Sequence, residues 1–527
     1  MASVNQFFKR RTQQRLSIGS AAFLLAGFSL VGTVLGLVRT SMINSNYFNR
    51  FSTDAYFTAF KLPDFIFFVL ASGALAVAFI PVLTDKLEKS GRPAAWRMMS
   101  SVLNTLALIS LVMSVILMIF APQIIRFVYH LEGEQLDLCA SIMRIIAVNP
   151  FLFSISAVLT ASQQAVGRFF FFALAPLVYN VSIILGIVLF KDRFGIIAPA
   201  IGVAIGAVLQ LIVAALGMLG MKYNYTWGID TKNKDYQQVM RALPARSVDQ
   251  GIDHINGIFD TRFATGLGFG AVSSYENALL LHNAPVMLIG IAISSAAFPR
   301  FNERISQGRP DLFRKEFIMV LRAMIWIALP VVVITFFGHQ YLARLIAKRE
   351  NIEIATLLQY LTVAILFRTL YSVISRWFYA QKDTKTPLYV SFFAIALNIF
   401  LSYKLSRPSR YGVTGLALAQ SIVACFEVVI LLFIMSRRDK KLFDKKFIGG
   451  VLKIISTTGF TIATAFIMVI ILPLSSQDLG LTLTAKLSVI SFMTFGVHIL
   501  ASWAMKLEEV EPVIDRAKKI MSRPLKI

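Results

Sequence analysis

The sequence predicts an all-α polytopic membrane protein with about 14 transmembrane helices. Two parallel six-helix repeats, an N-lobe and a C-lobe, are expected around a central cavity, with two extra C-terminal helices. Three observations carry this. The 527-residue chain is 57% hydrophobic and 15% charged, with a mean hydropathy of +0.69, whereas a soluble domain is about a quarter charged. Apolar runs long enough for a bilayer of roughly 30 Å recur along its length. A set of residues from the first half of the chain returns 217 positions later.

The apolar segments fall at 17–38, 55–83, 98–121, 138–166, 169–190, 196–221, 243–268, 275–299, 316–338, 354–379, 387–405, 411–436, 447–473 and 480–505. The first follows Lys9, Arg10, Arg11 and Arg15 and imitates a signal peptide. It is too long for an h-region and lacks a convincing small-residue cleavage site, so a retained helix is expected. Gly32 and Gly36 in it permit close helix approach. The second carries Pro63 as an expected kink. Segments four and five are separated mainly by Gly167-Arg168.

An even number of crossings returns the chain to its starting side, and the cations name that side. They crowd the N-terminal tail, the connections after segments two, eight and twelve, and the C-terminal tail. The positive-inside rule then places both termini in the cytoplasm. The formal charge of +24 is accounted for by that topology and by anionic lipid, without nucleic acid as a partner. Cys139 and Cys425 sit in apolar surroundings and the five histidines are scattered, so neither a disulfide framework nor a metal site is expected.

The repeat is most visible at GRPAAWR, 91–97, and GRPDLFR, 308–314. Gly91 and Gly308 suit a turn, and Pro93 and Pro310 a first helical turn. Trp96 and Phe313 are expected as interfacial anchors. Pro81 and Pro299, Gln163 and Gln381, Asn180 and Asn398, Phe194-Gly195 and Tyr411-Gly412, and Gln210 and Glu427 continue the offset at 217 or 218. Six helices per copy give both copies the same orientation, and transporters built so hold substrate between their lobes. The expected division is an N-lobe at 1–221, a cytoplasmic linker at 222–241, a C-lobe at 242–440, and helices 13 and 14 with the basic tail at 441–527.

Charge inside the membrane marks candidate sites. The seventh segment reads LPARSVDQGIDHINGIFDTRFATGLGFG from Leu243. Arg246, Asp249, Asp253, Asn256 and Asp260 follow steps of 3, 4, 3 and 4, which puts them on one helical face. That stripe is either an internal salt-bridge strip, with Arg246 and Asp249 paired, or the wall of a hydrophilic cavity. His254 and Arg262 lie at its edge. The first segment is almost free of charge until Arg39, which either snorkels to the outer interface or serves the cavity. Asp54 and Lys61 share a face of segment two, and Glu276 and Asn283 a face of segment eight. Helix-start positions are the plain alternative for Asp54 and Glu276. No P-loop or nucleophile motif is present, so an enzyme is not expected.

TVLGLVRT, TDAYFTAFKLPDF ending in AFIPVL, and FYAQKDTKTP at 378–387 resemble the MurJ (MviN) family of lipid II flippases. That family belongs to a superfamily with multidrug exporters and polysaccharide flippases. The resemblance covers most of the chain. It implies transfer of the undecaprenyl-diphosphate-linked peptidoglycan precursor from the cytoplasmic to the outer leaflet of the bacterial inner membrane. It also implies a cationic central cavity and a groove at helices 13 and 14 for the lipid tail. Arg39 matches the family's cavity arginine, and Asp54 and Lys61 its TDA and KLP motifs. The chain departs from the family at Thr33, Thr40, Phe67, Leu280 and Asn283, where charged residues are usual, and Arg246 and Arg262 are candidates to compensate. Lipid II and membrane lipids are the implied partners, together with other cell-wall synthesis proteins. No cofactor is implied, and coupling to sodium, protons or membrane potential is. A cation-coupled exporter of drugs or of another lipid-linked oligosaccharide, and a non-transporting envelope scaffold, are the alternatives.

Overall fold

Residues 18–47, 49–71 and 73–515 are described by the computed structural model, with side chains described throughout except at 18–23, 26, 73, 74, 76, 77 and 244–253. No strand occurs among them. Eleven spans among the described residues are long and apolar enough to cross a membrane. The three other expected segments, the first, second and seventh, are also helical. The chain divides into two compact units, 1–273 and 274–527.

The first unit begins with α1 (Ile18–Asn46), α2 (Arg50–Leu70) and α3 (Gly73–Lys89). Asn49 starts α2 by accepting the amide of Phe51, an ordinary N-cap. Pro63 lies within an unbroken α2, and the chain breaks instead after Leu70. The long α4 (Gly91–Tyr129) leaves helical geometry at Phe120, two residues before Pro122. There the proline ring crowds the preceding turn. Segment four is two helices, α5 (Gly133–Ile146) and α6 (Asn149–Ala165), because Pro150 opens the second. Then come α7 (Phe170–Phe194), α8 (Ile197–Leu216) and α9 (Lys234–Thr265). Asn233 caps α9 through the amides of Asp235 and Tyr236, so the polar stretch after 221 is itself helical from Lys234.

Small residues set the closest packing in this unit. A Cβ on Gly186 would sit 2.7 Å from the Gly202 Cα, and one on Gly202 would sit 2.8 Å from the Ser182 carbonyl oxygen. The α7 and α8 backbones therefore touch, as small-residue interfaces allow. Of the α1 glycines, Gly32 faces Leu177 of α7, whereas Gly36 faces open space. One apolar core gathers Tyr56, Ile125, Ile142 and Ile183. A second gathers Phe79, Trp96, Met99, Val158 and Tyr236.

The second unit contains α10 (Ala271–Pro285, its first turn shared with the first unit), a π turn at Val286–Ile291 and α11 (Ala292–Ser306). The π turn follows Pro285, where the missing amide loosens the α-helical ladder. Next are α12 (Pro310–Phe337), the short α13 (His339–Ala347) and α14 (Ile352–Ala380). The unit ends with α15 (Lys385–Leu405), α16 (Thr414–Arg438), α17 (Lys445–Ile471), α18 (Leu481–Ala504) and a 3-10 turn at Glu508–Val510. Its core is aromatic, with Phe301, Phe313, Phe317, Trp377 and Phe378.

The backbone repeats where the sequence does. Gly91 and Gly308 have φ of 76° and 67°, and Gly195 and Gly412 have 52° and 54°, the left-handed region that favours glycine. The expectation for Trp96 and Phe313 is corrected. They are 2% and 4% exposed and fill the two cores, because the helix turns the residue three positions after each loop proline inward.

Candidate functional site

In the first unit the charged positions lie on α1, α2 and α9. Arg39 Nη1 donates to Asn180 Oδ1 at 3.1 Å. Its Nε is buried without a hydrogen-bond partner, and no carboxylate lies within ion-pair distance among the described residues. The buried Tyr56 and the half-buried Tyr179 lie within electrostatic range of both Arg39 and Asp64. Asp64 follows Lys61 by three residues in the KLPDF stretch, a one-face spacing that pairs it with that cation and not with the cavity in a reading of the sequence.

Asp54 is 2% exposed. Its Oδ2 accepts the Gly270 amide at 2.6 Å and its Oδ1 the Ser273 amide at 2.7 Å. The carboxylate thus caps the backbone where the next helix starts, satisfying amides that a helix leaves open. Asp54→Ala is expected to lower stability by about 2 kcal/mol, the worth of a strong cap. Asp54→Asn should cost less, since one oxygen remains. Thermal midpoints in detergent check this, and an unchanged midpoint for Asp54→Ala would refute the capping role.

On α9, Asn256 Nδ2 donates to Asp260 Oδ2 at 3.3 Å, and both side chains are buried. His254 stacks on Phe68 with ring centroids 3.8 Å apart. Arg262 is half-buried and makes no ion pair among the described residues. The side chains of Arg246, Asp249 and Asp253 lie outside the described ones. Lys61 is half-buried and partnered.

In the second unit Glu276 is half-buried and also partnered. Asn283 is exposed, and its Oδ1 meets Nδ1 of the buried His282 at 3.1 Å. A larger network went unseen in the sequence. Arg368 Nη1 donates to Glu427 Oε2 at 3.1 Å, and Ser391 Oγ donates to Oε1 at 2.7 Å. Tyr371 extends it to Ser391 at 3.0 Å. Glu427 is 2% exposed. Its only sequence signal was its place opposite Gln210 in the repeat.

Two more polar layers hold α17 and α18 to α12. Trp326 Nε1 donates to Ser502 Oγ at 2.8 Å, and His498 bridges Thr461 Oγ1 and the Trp326 carbonyl. Below them the buried Arg322 pairs with Glu508 and Glu509. A cavity of about 880 Å³ opens between α12, α14 and α16 on Val333, Phe336, Phe337, Val363 and Ile422, with Ile462 the one lining residue of α17 and none from α18. The described residues contain no group of three or more His, Cys, Asp or Glu side chains suited to a metal.

The QKDTKTP stretch is a structural joint. Asp383 accepts the amides of Lys385 and Thr386 at 3.1 and 3.0 Å, the Thr386 hydroxyl at 2.6 Å and Arg438 Nη1 at 2.6 Å. Burial by itself raises the carboxyl pKa, but the Thr386 hydrogen bonds and the Arg438 guanidinium outweigh it and hold the group at about 2. A depressed pKa stabilises the fold above the ordinary carboxyl value and loses that contribution as pH falls through the folded value. Stability should therefore decline between pH 3.8 and about 2. Thermal midpoints across that range should fall less steeply in Asp383→Asn, and equal slopes would contradict this account.

Described residues that are helical without a strand, divided into two units, with charges set into otherwise apolar spans, have the layout of a secondary transporter. The fold matches a solved lipid II flippase MurJ in an inward closed conformation, with a TM-score of 0.76 at 23% identity, over 92% of this chain and 98% of that one. It also matches an inward-facing multidrug resistance MATE family transporter of the MOP superfamily, with a TM-score of 0.65 at 14% identity, over 80% of this chain and 99% of that one. The "Probable lipid II flippase MurJ" of Thermotoga maritima is 26% identical over 507 residues, 94% of this chain and 98% of the relative. The family model described as Lipid II flippase MurJ matches residues 43–493. The chain belongs to the MurJ family.

Proposed function

We propose that this protein moves lipid II, the undecaprenyl-diphosphate-linked glycopeptide, from the cytoplasmic to the outer leaflet of the bacterial inner membrane by alternating access. Arg39 carries the reading. A guanidinium within a spanning helix is costly unless it meets an anion. This one has a neutral partner at Nη1 and a buried, unbonded Nε. A diphosphate offers oxygens that the guanidinium fork binds bidentately. The apolar 880 Å³ groove of the second unit suits an isoprenoid tail that never leaves lipid. Asn256, Asp260, Arg262 and the α9 positions Arg246, Asp249 and Asp253 then line the wet path of the head group, with Lys61 at its flank. Both termini face the cytoplasm, where the cation-rich connections lie.

A flippase makes and breaks no bond, so net transport draws on a sodium or proton gradient, on membrane potential or on consumption of the product. Reconstitution with fluorescent lipid II tests this. Transfer should accelerate when one of those gradients is imposed. Its absence under every gradient would leave a scaffold, and drug efflux in its place would leave an exporter.

A further inference from the structure

The first unit holds a partly open cavity of about 300 Å³ that the charged positions do not use. Phe67, Phe153 and Phe172 form its apolar walls, and Ser156, Thr160, Gln164 and Gln210 its polar ones. None of its lining side chains carries a charge. A phosphate, a carboxylate or an ammonium group would enter without a counter-charge, which is unfavourable away from bulk water. A group with one apolar face and several hydroxyls or amides would find partners throughout.

The polar side chains are available. The Ser156 and Thr160 hydroxyls donate to carbonyls one turn back at 2.9 and 2.8 Å and keep acceptor lone pairs. Gln164 makes one weak bond to the Thr160 carbonyl at 3.4 Å. Gln210 is half-buried and its carboxamide has no hydrogen-bond partner among the described residues. The other repeat supplies the contrast. Glu427, the counterpart of Gln210, is closed off by Arg368 and Ser391. The first unit leaves the amide facing space instead. The volume lies at the low end of ligand pockets, roughly 300–1,000 Å³, which suits one ring and not a whole head group.

We infer that this cavity is a subsite for an uncharged N-acetylated sugar ring, stacked on the phenylalanine walls and hydrogen-bonded by Gln164 and Gln210. The inference rests on the flippase reading and deepens it: arginine recognises the diphosphate, and this pocket recognises the glycan.

The test compares two ligands on the full-length protein, by native mass spectrometry in nanodiscs. Lipid II carries the sugars, and undecaprenyl diphosphate lacks them. Gln210→Leu should weaken lipid II binding about tenfold, the worth of a 1.4 kcal/mol contact, and leave undecaprenyl diphosphate unaffected. Ala161→Phe, which fills the cavity, should act the same way, and its thermal midpoint verifies folding. Gln164→Leu serves as a second, near-isosteric variant. An equal loss for both ligands, or none for either, overturns the subsite. Wild-type protein that binds undecaprenyl diphosphate but not lipid II would sink the flippase reading itself.

Discussion

Arg39→Ala is expected to abolish rescue of a flippase-depleted bacterium while the protein still accumulates in the membrane. The guanidinium forms charge-assisted bonds worth about 1.5–3 kcal/mol each with an anionic partner. Two such bonds to a diphosphate correspond to a loss of over a hundredfold in transfer rate. Asn180 would lose its one contact from Arg39, but that bond is neutral on its acceptor side and half-buried, so folding should change little. Arg39→Lys keeps the charge without the planar fork and should fall between wild type and alanine. Growth rescue together with lipid II transfer in liposomes decides the matter. Full rescue by Arg39→Ala at normal membrane levels ends the role assigned to it.

The second large effect concerns folding. Glu427→Ala should destabilise the protein by about 3 kcal/mol, because it removes the buried carboxylate that pairs with the half-buried Arg368 guanidinium. The carboxylate it removes accepts from both Arg368 and Ser391, so one change breaks two bonds of the network. Replacing the whole pair, Arg368→Met with Glu427→Leu, should restore most of the loss, since burying two apolar side chains avoids the desolvation cost of both charges. Thermal midpoints in detergent for the single and double variants measure this. A double variant as unstable as the single one would show that Glu427 acts through something other than its pair.

Local features were legible where the chemistry is local. Long apolar runs announce spanning helices whatever their neighbours are, and the 217-residue offset announces two copies of one scaffold. Proline was harder. Pro63 passes through a continuous helix, Pro122 follows a break, and Pro285 precedes a π turn. The ring removes one amide in every case, and the surrounding packing decides whether the helix absorbs that loss. Trp96 and Phe313 show the same limit: an aromatic beside a basic loop suits the interface and the core equally until its neighbours are known.

By itself the sequence determined the class of this protein, its helical content, its duplication and its family. All four depend on composition, period or residue identity along the chain. Tertiary structure alone decided what the charges do. Asp54 became a backbone cap for residues 216 and 219 positions away, Glu427 the partner of an arginine 59 positions away, and Arg39 a cation whose acceptor among the described residues is neutral. A charge in an apolar helix must find a partner, but the sequence states only the need. The partner comes from whichever helix packs against it, and no periodicity records that choice.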